Sequence, residues 1–178
     1  IKTFGFVGAH CQLTGAINCA LWDLRGQIAG KPVHTLLSGD DASKQVRGYL
    51  AGGYYYGDDG SPAGLKRLQD ELTTNVRDLN ARSVKIKIGA PSAGIDIDTK
   101  RVAASREAIG PDIELMVDAN CAFKDVPTCI AYAKAFEPYD IFWFEEPFRP
   151  DAFDLHREFV AATPIPLATG ENISTVPH

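Results

Sequence analysis

The chain lacks the marks of several protein classes. Its 178 residues hold no Lys/Arg-dense stretch, and Lys+Arg 18 against Asp+Glu 23 leaves a formal charge of 18 − 23 = −5. Nucleic acids and anionic membranes draw on clustered positive charge, so neither partner is expected. No apolar run approaches the ~20 residues that span a bilayer, and the opening IKTFGFVGAHCQ lacks the basic-then-apolar layout of a signal peptide. A cytoplasmic protein is expected. Cysteine is sparse too: Cys11, Cys19, Cys121 and Cys129 form no CxxC pair, which points to reduced thiols rather than a disulfide frame. The length also falls short of the about 250 residues of a complete eight-unit α/β barrel. The chain opens at Ile1 and closes at His178 just after a strand and its turn, as expected of a piece of a longer protein.

What is present is ordinary soluble composition, 45% hydrophobic and 23% charged, arranged in clear periods. In residues 15–30, Ile17, Leu21, Leu24 and Ile28 lie on one helical stripe, and Gly30 with Pro32 supplies the stop. A short apolar turn, VHTLLSG, leads to a composition shift near residues 38–44, the expected domain boundary: residues 1–42 form one part and residues 43–178 the other. An extended run, SKQVRGYLAGG, then dissolves into a Tyr- and Gly-rich loop from Gly52 to Ser61.

Beyond it strand and helix alternate. A stripe of Leu65, Leu68, Leu72, Val76 and Leu79 precedes the strand VKIKI at 84–88; a helix around 100–109 precedes IELMV at 113–117. A helix over 127–136 leads to IFWF at 141–144, and one around 152–161 to a strand near 165–168. Such alternation requires crossovers and hence a parallel sheet, buried between helices, which is why IELMV and IFWF are almost wholly apolar. Periodicity leaves an open sheet and a barrel equally possible.

Three successive strands run into a carboxylate: Asp118 in LMVDAN, Glu145 in WFEEP and Glu171 in ATGEN, with 145 − 118 = 27 and 171 − 145 = 26 residues between them. Taken singly, each is a turn or cap residue. In phase, they gather at the C-terminal rim of a parallel sheet, where their mutual repulsion calls for a hard cation; oxygen-only ligation by a few carboxylates suits Mg²⁺. On the preceding strand Lys85 and Lys87 share one face, about 7 Å apart, and a partly desolvated lysine beside another cation has its pKa lowered toward the working pH. A cation that binds a carboxylate, beside a lysine able to take the α-proton, is a device for proton abstraction next to a carboxylate.

These motifs resemble the enolase superfamily, and within it the mandelate racemase and acid-sugar dehydratase group. The resemblance is carried by ALWDLRGQIAGKPVHTLLSG, KIKIG, VDAN, FEEP and TGEN, from about Ala16 to Asn172. It implies an α/β fold: a partial TIM-type (β/α)₇β barrel with parallel strands over 43–178, preceded at 1–42 by the last helices of an α+β capping domain. It implies Mg²⁺ on Asp118, Glu145 and Glu171, Lys87 as acid/base, Lys85 tuning Lys87 and holding a substrate carboxylate, and Asn120 contacting substrate. The family's second acid/base and final acidic group would lie beyond His178, itself expected to be a loop residue.

The expected activity is Mg²⁺-dependent removal of the proton α to the carboxylate of a small hydroxy acid through an enediolate, foremost dehydration of a sugar acid. Alternatives are a racemase or epimerase of a 2-hydroxy acid, a muconate-cycloisomerase-like enzyme, a Schiff-base aldolase using Lys87, or a catalytically incomplete fragment. Unpaired strand edges on a partial barrel imply association, most simply a homo-oligomer. Tyr54, Tyr55 and Tyr56 suggest a mobile lid or a plain surface cluster, Glu146 a supporting or a loop carboxylate, and His10, His34 and His156 structural residues in a loop, a short helix and a helix.

Overall fold

The computed structural model describes residues 5–39 and 45–173, and its contacts divide the chain into two compact units. One comprises the described residues of Ile1–Arg47 and Glu171–His178; the other is Gly48–Gly170. The expected boundary after residue 42 and the loop assigned to His178 lie outside the described residues.

In the first unit, α1 (Gly5–Ala29) is followed by α2 (Val33–Ser38), and α2 packs against α1. The stop falls where Gly30 and Pro32 place it: Gly30 takes φ 62° and closes the last turn by donating to Gln27 O. The start differs from expectation, because α1 begins at Gly5, ten residues before the expected start at residue 15, so His10 lies in a helix and not in a loop. The stripe exists but is not buried: Leu13, Ile17, Leu21, Leu24 and Ile28 are 52% to 77% exposed.

The second unit is a five-stranded parallel sheet in the order β1-β2-β3-β4-β5, formed by Leu50–Gly52, Ser83–Lys87, Glu114–Asp118, Ile141–Glu145 and Leu167–Ala168. Between them run α3 (Pro62–Asp78), α4 (Gly94–Ile109), α5 (Val126–Phe136) and α6 (Phe153–Ala162), each packed on the next. The open-sheet alternative is thereby removed. A doubly wound sheet reverses its strand order at a switch point, whereas this order is sequential, as in a TIM-type barrel, of which five of the eight strands are present here.

Helix starts follow local chemistry. Ser61 accepts from Gly64 N at 3.0 Å ahead of Pro62, and Asp125 accepts from Thr128 N at 2.8 Å. The core fills the helix side of the sheet: Val84, Ile86, Leu115, Val117 and Phe144 meet Leu68, Leu72, Val102, Phe136 and Phe159, all buried.

Three boundaries shift from the periodic reading. The barrel was expected from residue 43, but Val46 is 91% exposed and β1 starts only at Leu50. Leu79 falls outside α3 and is exposed, since the helix ends at Asp78. The last strand is two residues long because Pro164 and Pro166 offer no N–H to a ladder, leaving only Leu167 and Ala168 in register with Phe144 and Glu145.

Candidate active site

Register decides which side chains meet. Lys87, Asp118 and Glu145 are Cα partners across β2, β3 and β4, and one period below them Lys85, Met116 and Trp143 are partners. All six point away from the helix layer. The expectation that Lys85 and Lys87 share a sheltered polar face is met: Lys85 is buried and Lys87 is half-buried.

The lysines converge on the carboxylates. Lys87 Nζ donates to Asp118 Oδ2 at 2.6 Å, Lys85 Nζ lies 3.2 Å from the same oxygen, and Lys85 also donates to Glu145 Oε1. Tyr49 Oη accepts from Lys85 at 3.3 Å, and the Tyr49 ring lies under its ammonium, 5.0 Å from the centroid. Burial pulls the Lys85 pKa down, but the Glu145 hydrogen bond and the Asp118 charge outweigh it, so Lys85 is held above its ordinary value. The expected lowering by a neighbouring lysine is therefore not found at Lys85: the two carboxylates face it more closely than the argument from strand spacing allowed. Burial raises Asp118, yet Lys87, the Asn120 N–H and Lys85 together hold its carboxyl below the ordinary range.

The remaining expected residues sit differently. Asn120 is exposed, takes φ 46° and touches the cluster through its backbone, donating N–H to Asp118 Oδ1 at 3.0 Å. Glu171 does not end a strand. It lies in an exposed turn, 171 − 168 = 3 residues past the end of β5, and accepts from Asn172 Nδ2 at 3.1 Å. The chain leaves the strand because Glu146, buried and itself at φ 44°, takes Gly170 N at 2.7 Å and Thr169 Oγ1 at 2.9 Å on one oxygen.

Sequence reasoning missed three participants. Tyr49 and Trp143 were read only as part of strand patterns, although Trp143 sits two residues before Glu145 and period two puts it on the same face. The third is a buried cluster holding the loop after β1. Tyr55 Oη donates to Asp98 Oδ1 at 2.5 Å, Gly89 N donates to Asp98 Oδ2 at 2.8 Å, and Arg101 donates to Asp59 Oδ1 at 3.1 Å and to Gly53 O. Tyr55 is thus fastened down, while Tyr54 and Tyr56 stay exposed. His34 and His156 lie in α2 and α6, and His156 Nδ1 faces the O of Ala152, the residue just ahead of α6.

Among the described residues, no three His, Cys, Asp or Glu side chains stand together as a metal-holding group. The donor chemistry of the pair that does meet suits Mg²⁺ nonetheless: Asp118 and Glu145 offer hard anionic oxygens on neighbouring strands, and this cation commonly takes only one or two carboxylates and keeps waters elsewhere. No helix among the described residues is long and apolar enough to cross a membrane.

Comparison with known proteins agrees with the layout. The family described as Enolase C-terminal domain-like matches residues 67–178. The chain is 33% identical over 172 residues to an arabinonate dehydratase of Saccharolobus solfataricus, covering 97% of this chain and 43% of that protein. It is 34% identical over 177 residues to a D-galactarolactone cycloisomerase of Agrobacterium fabrum, covering 96% and 43%. A crystal structure of a racemase from Streptomyces coelicolor with bound magnesium superposes with a TM-score of 0.73 at 34% identity, covering 89% of this chain and 44% of that one. The chain therefore spans about two fifths of the length of these relatives.

Proposed function

Because the chain belongs to the Enolase C-terminal domain-like family, we propose that its protein removes the proton α to the carboxylate of a hydroxy acid, and that the reaction is dehydration of a sugar acid. The observation that carries this reading is the meeting of Lys87, Asp118, Lys85 and Glu145 on one buried face. Lys87 is the group that takes the α-proton onto Nζ, and Asp118 fixes that nitrogen at 2.6 Å. Lys85, which faces Glu145 and Asp118 on a flexible stem, supplies positive charge toward a substrate carboxylate. Asn120 stands exposed at the rim, where its side chain can reach a hydroxyl of the substrate. The β-hydroxyl leaves as water with the proton returned from Lys87 Nζ, and the enol left behind tautomerises to the 2-oxo acid.

Asp118, Glu145 and Glu171 are the residues that would hold Mg²⁺, which supplies positive charge to the substrate carboxylate as the α-carbon loses its proton. A relative crystallised with bound magnesium supports the choice of cation, and the hard-oxygen character of all three side chains suits it. The racemase and cycloisomerase readings share the same first step and part only in the product. The Schiff-base reading gains no support, because it leaves the carboxylates that face both lysines without a role.

The test is a calorimetric MgCl₂ titration of the chain beside Asp118→Asn and Glu171→Gln. One-site binding that each variant weakens tenfold or more, about 1.4 kcal/mol each, is the expected result, and a folded parent that binds no Mg²⁺ would overturn the site. Formation of a 2-oxo acid from a panel of sugar acids, followed on the longer protein carrying this segment, separates dehydration from racemisation and from a chain without turnover.

A further inference from the structure

Glu145 is gripped at both oxygens by partners of different kinds. Oε1 faces the Lys85 ammonium, while Oε2 accepts from the Trp143 indole N–H at 2.9 Å. The indole is itself braced. Tyr49 meets it edge to face at 5.4 Å and 84°, and the Phe142 ring lies 5.4 Å away on the other neighbour position. Tyr49 also accepts from Lys85 at 3.3 Å, so Trp143, Glu145, Lys85 and Tyr49 form a closed ring of contacts.

The two grips differ in what can displace them. An ammonium on a flexible four-carbon stem yields its place to a divalent cation, because like charges compete for the same oxygen. The indole N–H carries no charge and finds no better acceptor within a braced ring than the carboxylate it already holds. An arriving cation therefore finds Oε1 open to exchange and Oε2 already engaged by a neutral donor on one of its two lone pairs, which leaves Oε2 the weaker ligand of the two. That asymmetry matters to the choice of metal. Ca²⁺ takes six to eight oxygens and readily uses both oxygens of one carboxylate, whereas Mg²⁺ demands a small octahedral set and works with one oxygen per carboxylate.

We propose that Trp143 is a positioning residue that sets cation selectivity, by engaging Oε2 of Glu145 and so favouring one-oxygen binding of Mg²⁺ over two-oxygen binding of Ca²⁺. This rests on the reading of Glu145 as a metal ligand given above. It adds a role for a residue that neither touches the substrate nor binds the metal.

The experiment titrates the chain, Trp143→Phe and Glu145→Gln with MgCl₂ and, separately, with CaCl₂ by calorimetry. Phenylalanine keeps a ring against Tyr49 and removes only the N–H. The expected result for Trp143→Phe is a Mg²⁺ affinity lower by about tenfold, the range found for outer partners of metal ligands, with Ca²⁺ binding unchanged or tighter. An equal loss for both cations, or no change in either, overturns the proposal, because a merely structural role would not move their ratio. Glu145→Gln separates this failure from failure of the site. If it leaves Mg²⁺ binding intact, or if the folded parent binds no Mg²⁺, the site reading falls and takes the proposal with it. If Glu145→Gln abolishes binding while Trp143→Phe preserves the ratio, only the role of Trp143 falls. Should Trp143→Phe not fold, Trp22→Phe leaves Trp143 as the sole indole of the two in the chain. Its N–H band in ultraviolet resonance Raman is then expected to stay hydrogen-bonded at Mg²⁺ saturation, and loss of that bond overturns the proposal.

Discussion

The strand-end cluster of Lys85, Lys87, Asp118 and Glu145 and the loop cluster of Tyr55, Asp59, Asp98 and Arg101 are made from the same materials, carboxylates facing cations out of reach of bulk water. They differ in who holds the oxygens. Asp59 receives Tyr56 N at 2.9 Å and Gly57 N at 3.0 Å besides Arg101, and Asp98 receives Gly89 N and the Tyr55 hydroxyl. Those donors are mostly backbone, and they pin the loops after β1 and β2 in place. In the strand-end cluster the donors to Asp118 Oδ2 and Glu145 Oε1 are lysine ammonium groups on long stems. Buried charge tied to backbone is architecture; buried charge tied to flexible ammonium groups can be exchanged for a ligand.

The comparison breaks first at Arg101. Its guanidinium is 1% exposed, and it faces Asp59, Asp98 and the Gly53 carbonyl while stacking 4.3 Å from the Tyr55 ring centroid. Arg101→Met leaves two buried carboxylates without it, and losing one side of a buried pair costs about 3–5 kcal/mol. A urea unfolding midpoint lowered to that degree at unchanged slope, and not restored by Mg²⁺, is expected. A shift under about 1 kcal/mol would show that the loop cluster is not architecture at all.

Why one cluster was legible in the sequence and the other was not follows from spacing. Asp118 and Glu145 end apolar runs and Lys87 ends an alternating strand, so the period of the βα unit brings them into register, as Lys87↔Asp118↔Glu145 shows. Arg101 meets Asp59 across 101 − 59 = 42 residues and Tyr55 meets Asp98 across 98 − 55 = 43, between a loop and a helix, and no repeat points to either pair. The same limit applies at Glu171. Its spacing from Glu145 matched the unit, but Pro166 delays the start of β5 and the Glu146 carboxylate draws the chain away after Ala168, and neither effect is periodic. In α1 the stripe from Ile17 to Ile28 predicted the helix, yet it lies exposed, since a pattern states which face is apolar and not what covers it.

A milder change sharpens the contrast within the loop cluster. Tyr55→Phe keeps the ring under Arg101 and removes only the hydroxyl that donates to Asp98 Oδ1. A hydrogen bond to a buried charged acceptor is worth about 1.5–3 kcal/mol. Asp98 keeps Gly89 N on its other oxygen, so the lower figure is expected in urea unfolding. A loss equal to that of Arg101→Met would mean that Tyr55 and Arg101 act as one unit rather than as two anchors.

The smallest effect expected is a change of slope rather than of level, and it sets the two clusters in opposition. Burial raises the Asp98 carboxyl above its ordinary value of 3.8, and the hydrogen bonds from Tyr55 and Gly89 and the charge of Arg101 only partly oppose it. A carboxyl raised in the folded state binds its proton more readily there than in the unfolded chain. Its contribution to stability is then fully present below the unfolded pKa and is lost as pH rises through the folded value. Asp118, lowered chiefly by Lys87 against its own desolvation, runs the other way and adds stability as pH rises toward its ordinary value of 3.8. In the parent the two slopes oppose each other. Asp98→Asn removes the falling one, so the gain in unfolding free energy between about pH 3 and about pH 6 should be larger in the variant than in the parent. A smaller gain would mean that Arg101 and the loop N–H groups favour the charged form of Asp98, which would make the loop cluster an ion pair like that at the strand ends.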